Sequence, residues 1–161
     1  MKLVLATQNP KKLKEMNEIL SHLGVEVVSE AELGVRIEVE ETGETFTDNA
    51  RLKATAVMQA TGLPAVADDS GLCVDALNGG PGVYSARFGG EGLDDKGRYT
   101  LLLEMLRGQT DRAAHFHTSI VCAFPNGDEL VCEGECPGTI AFAPMGEGGF
   151  GYDPVFFVPE L

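Results

Sequence analysis

Hydrophobic and polar residues recur along this chain with two different periods. Apolar residues spaced three or four positions apart predict three helices, which begin at Pro10, just after Thr45, and at Asp94 or Asp95. Each predicted helix is closed by a glycine: Gly24, Gly62 and Gly108. Thr45 is followed three residues later by Asp48, an arrangement typical of a helix N-terminus.

Short apolar runs and strict alternation predict strands in most of the remaining segments. The predicted strands are 2–6, 25–28, 36–41, 115–124, 130–132 and 155–158. The pair Asn126-Gly127 is a strong hairpin signal between two of them. The last third of the chain is therefore predicted to be mostly sheet.

Two adjacent carboxylates, Asp68 and Asp69, follow the apolar run 63–67 and precede a second apolar run at 72–74. Neighbouring residues of a strand point to opposite faces, so at least one carboxylate is expected near the core. A buried unpaired charge is costly, and a divalent cation such as Mg²⁺ would offset that cost. The alternative is a turn, because Asp, Ser and Gly also build turns between strands. The pattern alone leaves both interpretations open.

Charge and composition exclude several classes of partner. The chain has 161 residues, 43% of them hydrophobic, which fits one domain with a substantial core. Its net charge of −13 argues against a nucleic-acid polymer or an anionic membrane as partner. We find no signal peptide and no apolar run long enough for a membrane span. Cysteines 73, 122, 132 and 136 form no CxxC pair, which favours free thiols in a reducing cytoplasm.

The start of the first predicted helix is unusually basic. Lys11, Lys12 and Lys14 occupy its first turn, where the helix dipole disfavours cations. A solvated basic surface is one explanation. A phosphate site is the one we favour, because backbone N–H groups at a helix N-terminus and lysines both bind phosphate.

Two further segments carry candidate chemistry. The glycine-rich stretch 146–154 contains Phe150, Tyr152 and Asp153, and such a loop can approach and stack on a planar ligand. Its alternative is a plain turn with inward-packed aromatics. His115 and His117 share one face of a strand and could be two zinc ligands. No third ligand has a suitable spacing, so paired surface or structural histidines are favoured over a zinc-binding domain built on them and the cysteines.

Four stretches match the motifs of one enzyme family in order and spacing. They are Thr7-Gln8-Asn9-Pro10-Lys11-Lys12, Ala67-Asp68-Asp69-Ser70-Gly71-Leu72, Gly80-Pro81-Gly82-Val83-Tyr84-Ser85-Ala86-Arg87 and Gly149-Phe150-Gly151-Tyr152-Asp153-Pro154. On these motifs the chain resembles, from end to end, the inosine/xanthosine triphosphate pyrophosphatases, which remove non-canonical purine nucleotides.

The resemblance implies an α/β fold: a long mixed β-sheet with flanking helices and two lobes around a central cleft. It implies a single pyrophosphatase domain over residues 1–161, acting as a Mg²⁺-dependent cytoplasmic homodimer. The implied reaction cuts a nucleoside triphosphate such as ITP, dITP or XTP into the monophosphate and pyrophosphate.

The resemblance also implies roles for individual residues. The implied phosphate contacts are Thr7, Gln8, Asn9, Pro10, Lys11, Lys12 and Lys53. Glu41 and Asp69 match metal positions, and Asp69 is the implied base that activates water. Ser70 matches a substrate contact, and the residues matching the nucleoside loop are Phe150, Gly151, Tyr152 and Asp153.

One departure from the family follows from the end of the sequence. The family continues with a helical segment that carries a lysine and a Ser-His-Arg motif, which contact base and phosphate. The sequence stops at Leu161, so we expect the C-terminal segment to be lacking and the selectivity for ITP over GTP to be reduced. A nucleotide-binding module with little turnover is the alternative function.

Overall fold

The structure, a computed structural model, describes residues 1–7, 10–90, 92–146 and 151–158. Its helices are α1 (Pro10–Ser21), α2 (Phe46–Thr61) and α3 (Asp95–Met105). Its strands are β1 (Lys2–Leu5), β2 (Glu26–Ser29), β3 (Ala65–Val74), β4 (Gly80–Pro81), β5 (Ala113–Ala123), β6 (Glu129–Ile140) and β7 (Phe156–Phe157). Among the described residues, no helix has the length and apolar character needed to cross a membrane.

The strands form one mixed sheet with the order β2-β1-β3-β5-β6-β7, and β4 pairs with β3. Strand β1 runs parallel to both β2 and β3, and Val4 lies opposite Val28 on one side and Ala65 on the other. Strand β7 is antiparallel to β6, with Phe156 opposite Ile140. The predicted mixed sheet with flanking helices is confirmed.

The chain divides into two compact units. Unit 1 comprises Met1–Asp69 and Ser119–Glu133, and unit 2 comprises Ser70–Thr118 and Gly134–Leu161. In unit 1, Val4 packs in one apolar cluster with Ala50, Ala54 and Val57 of α2. Its neighbour Leu3 packs in another cluster with Leu13 and Met16 of α1 and with other residues. Because successive strand residues face opposite ways, α1 and α2 cover opposite faces of the parallel strands.

Unit 2 has its own core around Leu72, Leu102 and Ile140. Arg112 is buried there, and its guanidinium donates hydrogen bonds to the carbonyl oxygens of Leu106, Ile140 and Ala141 at 3.1, 2.8 and 2.8 Å. The buried charge therefore has oxygen partners, which offsets its desolvation cost.

The predicted helix starts are confirmed. The side chain of Thr45 accepts a hydrogen bond from the Asp48 amide at 3.1 Å. The side chain of Asp94 accepts one from the Gly97 amide at 2.7 Å. Each cap satisfies one of the amide groups that have no partner within the helix.

The free thiols and the hairpin are confirmed as well. All four cysteines are free, and Cys73 is buried while Cys122 is half-buried. Strands β5 and β6 are joined by a short turn in which the Phe124 amide donates to the Asp128 carbonyl at 3.0 Å.

Two local predictions are wrong, and one alternative that the sequence left open is excluded. Residues 36–41 belong to no strand, although their side chains alternate between half-buried and exposed, because no strand in the described part of the chain pairs with this segment. Strand β3 runs without interruption through Asp68 and Asp69, so the turn interpretation fails. The apolar run 155–158 contributes only Phe156–Phe157 to the sheet, because Val155 ends a short 3₁₀ helix.

Candidate functional site

The candidate site in unit 1 is centred on Asp69, which is only 8% exposed. Alternation along β3 puts Asp69 on the face of Ala67, which packs in the same apolar cluster as residues of α2. Asn49 of α2 donates from Nδ2 to Asp69 Oδ2 at 3.3 Å. The other end of that amide, Oδ1, accepts from the Gly43 backbone amide at 2.7 Å. Asn49 thus fixes the position of the buried carboxylate.

Lys53 lies one helical turn after Asn49, on the same side of α2. Its Nζ donates to the Asp68 carbonyl oxygen at 2.6 Å and lies 3.1 Å from Glu41 Oε1. Asp69 Oδ1 is 4.0 Å away. One ammonium group therefore stands between the carboxylates of Glu41 and Asp69, the two residues that the family motif associates with metal.

Glu41 reaches this group because of the alternation in the segment before α2. Residues 35, 37, 39 and 41 are half-buried, whereas 36, 38 and 40 are exposed. Glu41 therefore shares the inward side with Ile37 and Val39, and Glu40 faces solvent.

Lys12 belongs to the first turn of α1, and its Nζ lies 2.8 Å from Asp68 Oδ2. Both side chains are partly exposed. Asp68 and Asp69 point to opposite sides of β3, so each carboxylate has its own lysine partner. β3 is consequently flanked by two separate charged groups: Lys12 with Asp68 on one side, and Lys53 with Glu41 and Asp69 on the other.

Burial raises the pKa of Asp69 from 3.8 to about 6, with Lys53 lowering it and the charge of Glu41 raising it. The Asn49 hydrogen bond lowers this pKa, and the charge of Asp68 raises it. A carboxyl group with a pKa near 6 is a competent proton acceptor at neutral pH. Burial and neighbouring negative charges disfavour the ionised form of a carboxyl group, and a bound dication with a preference for oxygen ligands stabilises that form. Asp69 and Glu41 therefore fit Mg²⁺.

Two neighbouring cavities open beside these residues. One of about 460 Å³ is lined by Thr7, Glu30, Glu38 and Lys53 together with apolar side chains. The other, of about 400 Å³, is lined by Thr7, Glu30 and Pro10 among others. The structure thus brings Thr7 and Lys53 to one cavity and Pro10 to the adjoining one. Lys11 is exposed, and Gln8 and Asn9 lie outside the described residues.

The predicted substrate contact Ser70 and the predicted nucleoside loop belong to unit 2. Ser70 Oγ accepts from Thr118 Oγ1 at 3.0 Å, and the Gly151 amide donates to Asp95 Oδ2 at 3.0 Å. Tyr152 is buried, with its hydroxyl donating to the Ser85 carbonyl at 2.7 Å, and burial raises its pKa to about 12.

Tyr152 therefore matches the inward-packed aromatic that the sequence left as an alternative. Asp153 begins a short 3₁₀ helix. Phe150 falls outside the described part of the chain.

Sequence reasoning missed Asn49, which holds Asp69, and Glu30, which lines both cavities. Glu30 is 5% exposed and accepts from the Ile37 amide at 3.3 Å. Asn49 carried a signal, since it lies one helical turn before Lys53 on the stripe of small residues at 50 and 54. Glu30 carried none, because its burial depends on a non-local loop.

Comparison with known proteins identifies the family. The model of the Ham1 family matches residues 3–161. The chain belongs to the Ham1 family.

Curated relatives of this Ham1 chain carry the name dITP/XTP pyrophosphatase. The protein from Desulforamulus reducens is 54% identical over 162 residues, covering 99% of this chain and 81% of the relative. The protein from an Exiguobacterium species is 50% identical over 161 residues, covering 100% of this chain and 82% of the relative.

Solved structures of Ham1 proteins superpose closely on this chain. The Coxiella burnetii HAM1 protein matches with a TM-score of 0.93 and 44% identity, over 99% of this chain and 83% of that one. The Staphylococcus aureus Ham1 protein matches with a TM-score of 0.91 and 42% identity, over 99% and 82%.

Proposed function

We propose that this Ham1 chain hydrolyses non-canonical purine nucleoside triphosphates, such as ITP, dITP and XTP, to the monophosphate and pyrophosphate. The observation that carries the proposal is the buried Asp69 beside Lys53 and Glu41, with the Lys12–Asp68 ion pair on the other side of the same strand. The names of the curated relatives agree with this reaction.

The lysines supply the phosphate contacts in this proposal. Lys53 and Lys12 are held by Glu41 and Asp68. A triphosphate entering beside Thr7 finds both ammonium groups already in position, so little entropy is lost in ordering them. Gln8, Asn9 and Pro10 of the opening motif are assigned as further phosphate contacts from the family, whereas the exposed Lys11 is expected to contribute little to binding.

The carboxylates supply the metal and the base. Glu41 and Asp69 would hold Mg²⁺, and the bound ion would neutralise negative charge on the phosphates. Asp69 would accept the proton of the water that attacks phosphorus. Asn49 orients the Asp69 carboxylate for that task.

Ser70 is assigned from the family motifs as a substrate contact, and the nucleoside contacts are assigned from them as Phe150, Gly151, Tyr152 and Asp153. Tyr152 would act by its hydrogen bond to Ser85 rather than by stacking, since its side chain is buried. We also propose a homodimer in a reducing cytoplasm, and the four free cysteines support that compartment.

The test is a substrate panel of ITP, dITP, XTP, GTP and ATP with Mg²⁺, in which pyrophosphate and orthophosphate are assayed separately. The expected result is pyrophosphate release, fastest with the non-canonical bases and abolished by EDTA. Release of orthophosphate alone would contradict the reaction class. Tight binding of ITP without turnover would favour a nucleotide-binding module instead.

A further inference from the structure

A second cluster of potential metal ligands lies in unit 2, on strands β5 and β6. His115 and His117 are two residues apart on β5 and so share one face of the sheet. Glu135 of β6 reaches the same face, with its Oε1 3.2 Å from His117 Nδ1 and 3.9 Å from His115 Nε2. The three ligand atoms all lie within 4.8 Å of one another.

The hairpin explains why Glu135 completes this group. The Phe124–Asp128 hydrogen bond closes the turn between the strands. His117 lies as far before Phe124 as Glu135 lies after Asp128. His117 and Glu135 therefore lie opposite each other on the two paired strands. Sequence spacing alone therefore does not reveal the third potential ligand, because the pairing of the two strands brings Glu135 to the histidines.

The spacing suits a tetrahedral metal ion. Bonds of about 2.0–2.1 Å to nitrogen and oxygen put tetrahedral ligand atoms about 3.3 Å apart. The His117–Glu135 distance of 3.2 Å is already close to that value, and the His115–Glu135 distance of 3.9 Å needs only a small side-chain movement. His115 and His117 are half-buried on strands rather than on loops, so their backbones are well fixed.

The donor chemistry selects a transition metal rather than Mg²⁺. Two imidazoles and one carboxylate suit Zn²⁺ and its neighbours, whereas Mg²⁺ prefers an all-oxygen set. Cys73 is not part of the group whose ligand atoms lie within 4.8 Å of one another. None of the three residues belongs to the group around Asp69.

We propose that His115, His117 and Glu135 bind one transition-metal dication of the zinc class, with a fourth position left to water. The bound ion would cross-link β5 to β6, so it would stabilise the fold by mass action. This site goes beyond the proposed hydrolysis and does not depend on it.

The experiment is a calorimetric titration of the untagged protein with Zn²⁺, in excess Mg²⁺ so that the carboxylates around Asp69 are occupied. We expect one zinc ion per chain. His115→Ala, His117→Ala and Glu135→Gln should each weaken binding by at least about tenfold. His22→Gln is the matched control, because His22 is exposed beyond the end of α1, and it should leave the affinity unchanged.

Cobalt(II) provides an independent readout of the ligand set. Tetrahedral Co²⁺ should give visible d–d absorption without a thiolate charge-transfer band, and Glu135→Gln should remove or shift that absorption. The near-isosteric Glu135→Gln change lies at an exposed side chain and keeps the fold, which equal melting temperatures in EDTA would verify.

Three results would overturn the proposal. One is the absence of zinc binding to the unmodified chain, which would leave only a histidine–carboxylate ion pair. Another is unchanged affinity in Glu135→Gln. The third is loss of zinc binding in Asp69→Asn, which would assign the zinc to the other site.

Discussion

Asp69 is the residue on which the proposed chemistry depends most. Asp69→Asn keeps the shape of the side chain and can still accept the hydrogen bond from Asn49, but it removes both the charge and the basicity. We expect steady-state pyrophosphate release from ITP to fall by about 10²–10⁴-fold, the usual effect of losing a general base. Asp68→Asn is the matched control and should lose much less, because Asp68 pairs with Lys12. Equal losses in the two variants would contradict the assignment.

The raised pKa of Asp69 makes a separate prediction about stability. Folding raises this pKa from 3.8 to about 6, so the folded protein holds the proton more tightly than the unfolded chain does. The contribution of Asp69 to stability is therefore most favourable below about pH 4. It falls as the pH rises to about 6, and above that the buried charge costs on the order of 1–3 kcal/mol.

Asp69→Asn should consequently melt at a higher temperature than the unmodified chain at pH 7.5 without Mg²⁺, and the difference should vanish near pH 4. Thermal melts at both pH values check this. Added Mg²⁺ should raise the melting temperature of the unmodified chain more than that of the variant. The prediction fails if the melting temperature of the variant minus that of the unmodified chain is smaller at pH 7.5 than at pH 4. That result would show that burial does not destabilise the charged form of Asp69.

The two neighbouring lysines of α1 should differ in function. Lys12 pairs with Asp68 at 2.8 Å, and we expect Lys12→Ala to lose about 0.2–1 kcal/mol of stability, as partly exposed ion pairs do. The Lys12→Ala variant also loses a charge-assisted hydrogen bond to phosphate, which should weaken nucleotide binding by about 10–100-fold. Lys11→Ala is the matched control in the same helical turn and should change both quantities little.

The measurements are the KM for ITP, the Kd for a non-hydrolysable triphosphate analogue and the melting temperature. A larger binding defect in Lys11→Ala than in Lys12→Ala would reverse the assignment within the motif.

At the scale of elements, the attachment of β7 to β6 depends on a glycine. A Cβ on Gly138 would collide with the Phe157 carbonyl oxygen and lie 2.7 Å from Phe156 Cζ. Gly134 of the same strand has open space at its Cβ position. The φ angles of both glycines lie outside the left-handed region, so the comparison is one of space rather than of backbone conformation.

Gly138→Ala should therefore separate β7 from β6 and lower stability by about 1–3 kcal/mol, the usual cost of overpacking. Gly134→Ala should be neutral within about 0.5 kcal/mol. Urea unfolding of the two variants gives the comparison, and amide hydrogen exchange at Phe157 locates the change. Equal stability of both variants would mean that the strand shifts to accommodate the methyl group.

At the scale of the whole molecule, the prediction concerns association. The resemblance implies a homodimer, and twofold dimers are the commonest symmetric assembly of soluble proteins. Light scattering after gel filtration should therefore give twice the 17.1 kDa mass of one chain. A monomer mass across the micromolar range would contradict the prediction. Repeating the measurement with EDTA separates dimerisation from any metal-mediated association.

The sequence by itself determined the local structure and the family. Side-chain caps such as Thr45 and Asp94, and the Asn126-Gly127 turn, act over a few residues, so local rules predicted them. The four motifs that identified the family are likewise contiguous. The family match, rather than the alternation before α2, singled out Glu41 from its neighbour Glu40.

Only the tertiary structure decided how the charged groups are paired. A strand exists only when distant segments hydrogen-bond to it, so sequence could not show that β3 continues through Asp69 or that 36–41 joins no strand of the described chain. Folding also brought Glu135 to the two histidines and set Lys53 between Glu41 and Asp69. The burial of Asp69 raises its pKa, and burial is a property of the packed chain rather than of its local sequence.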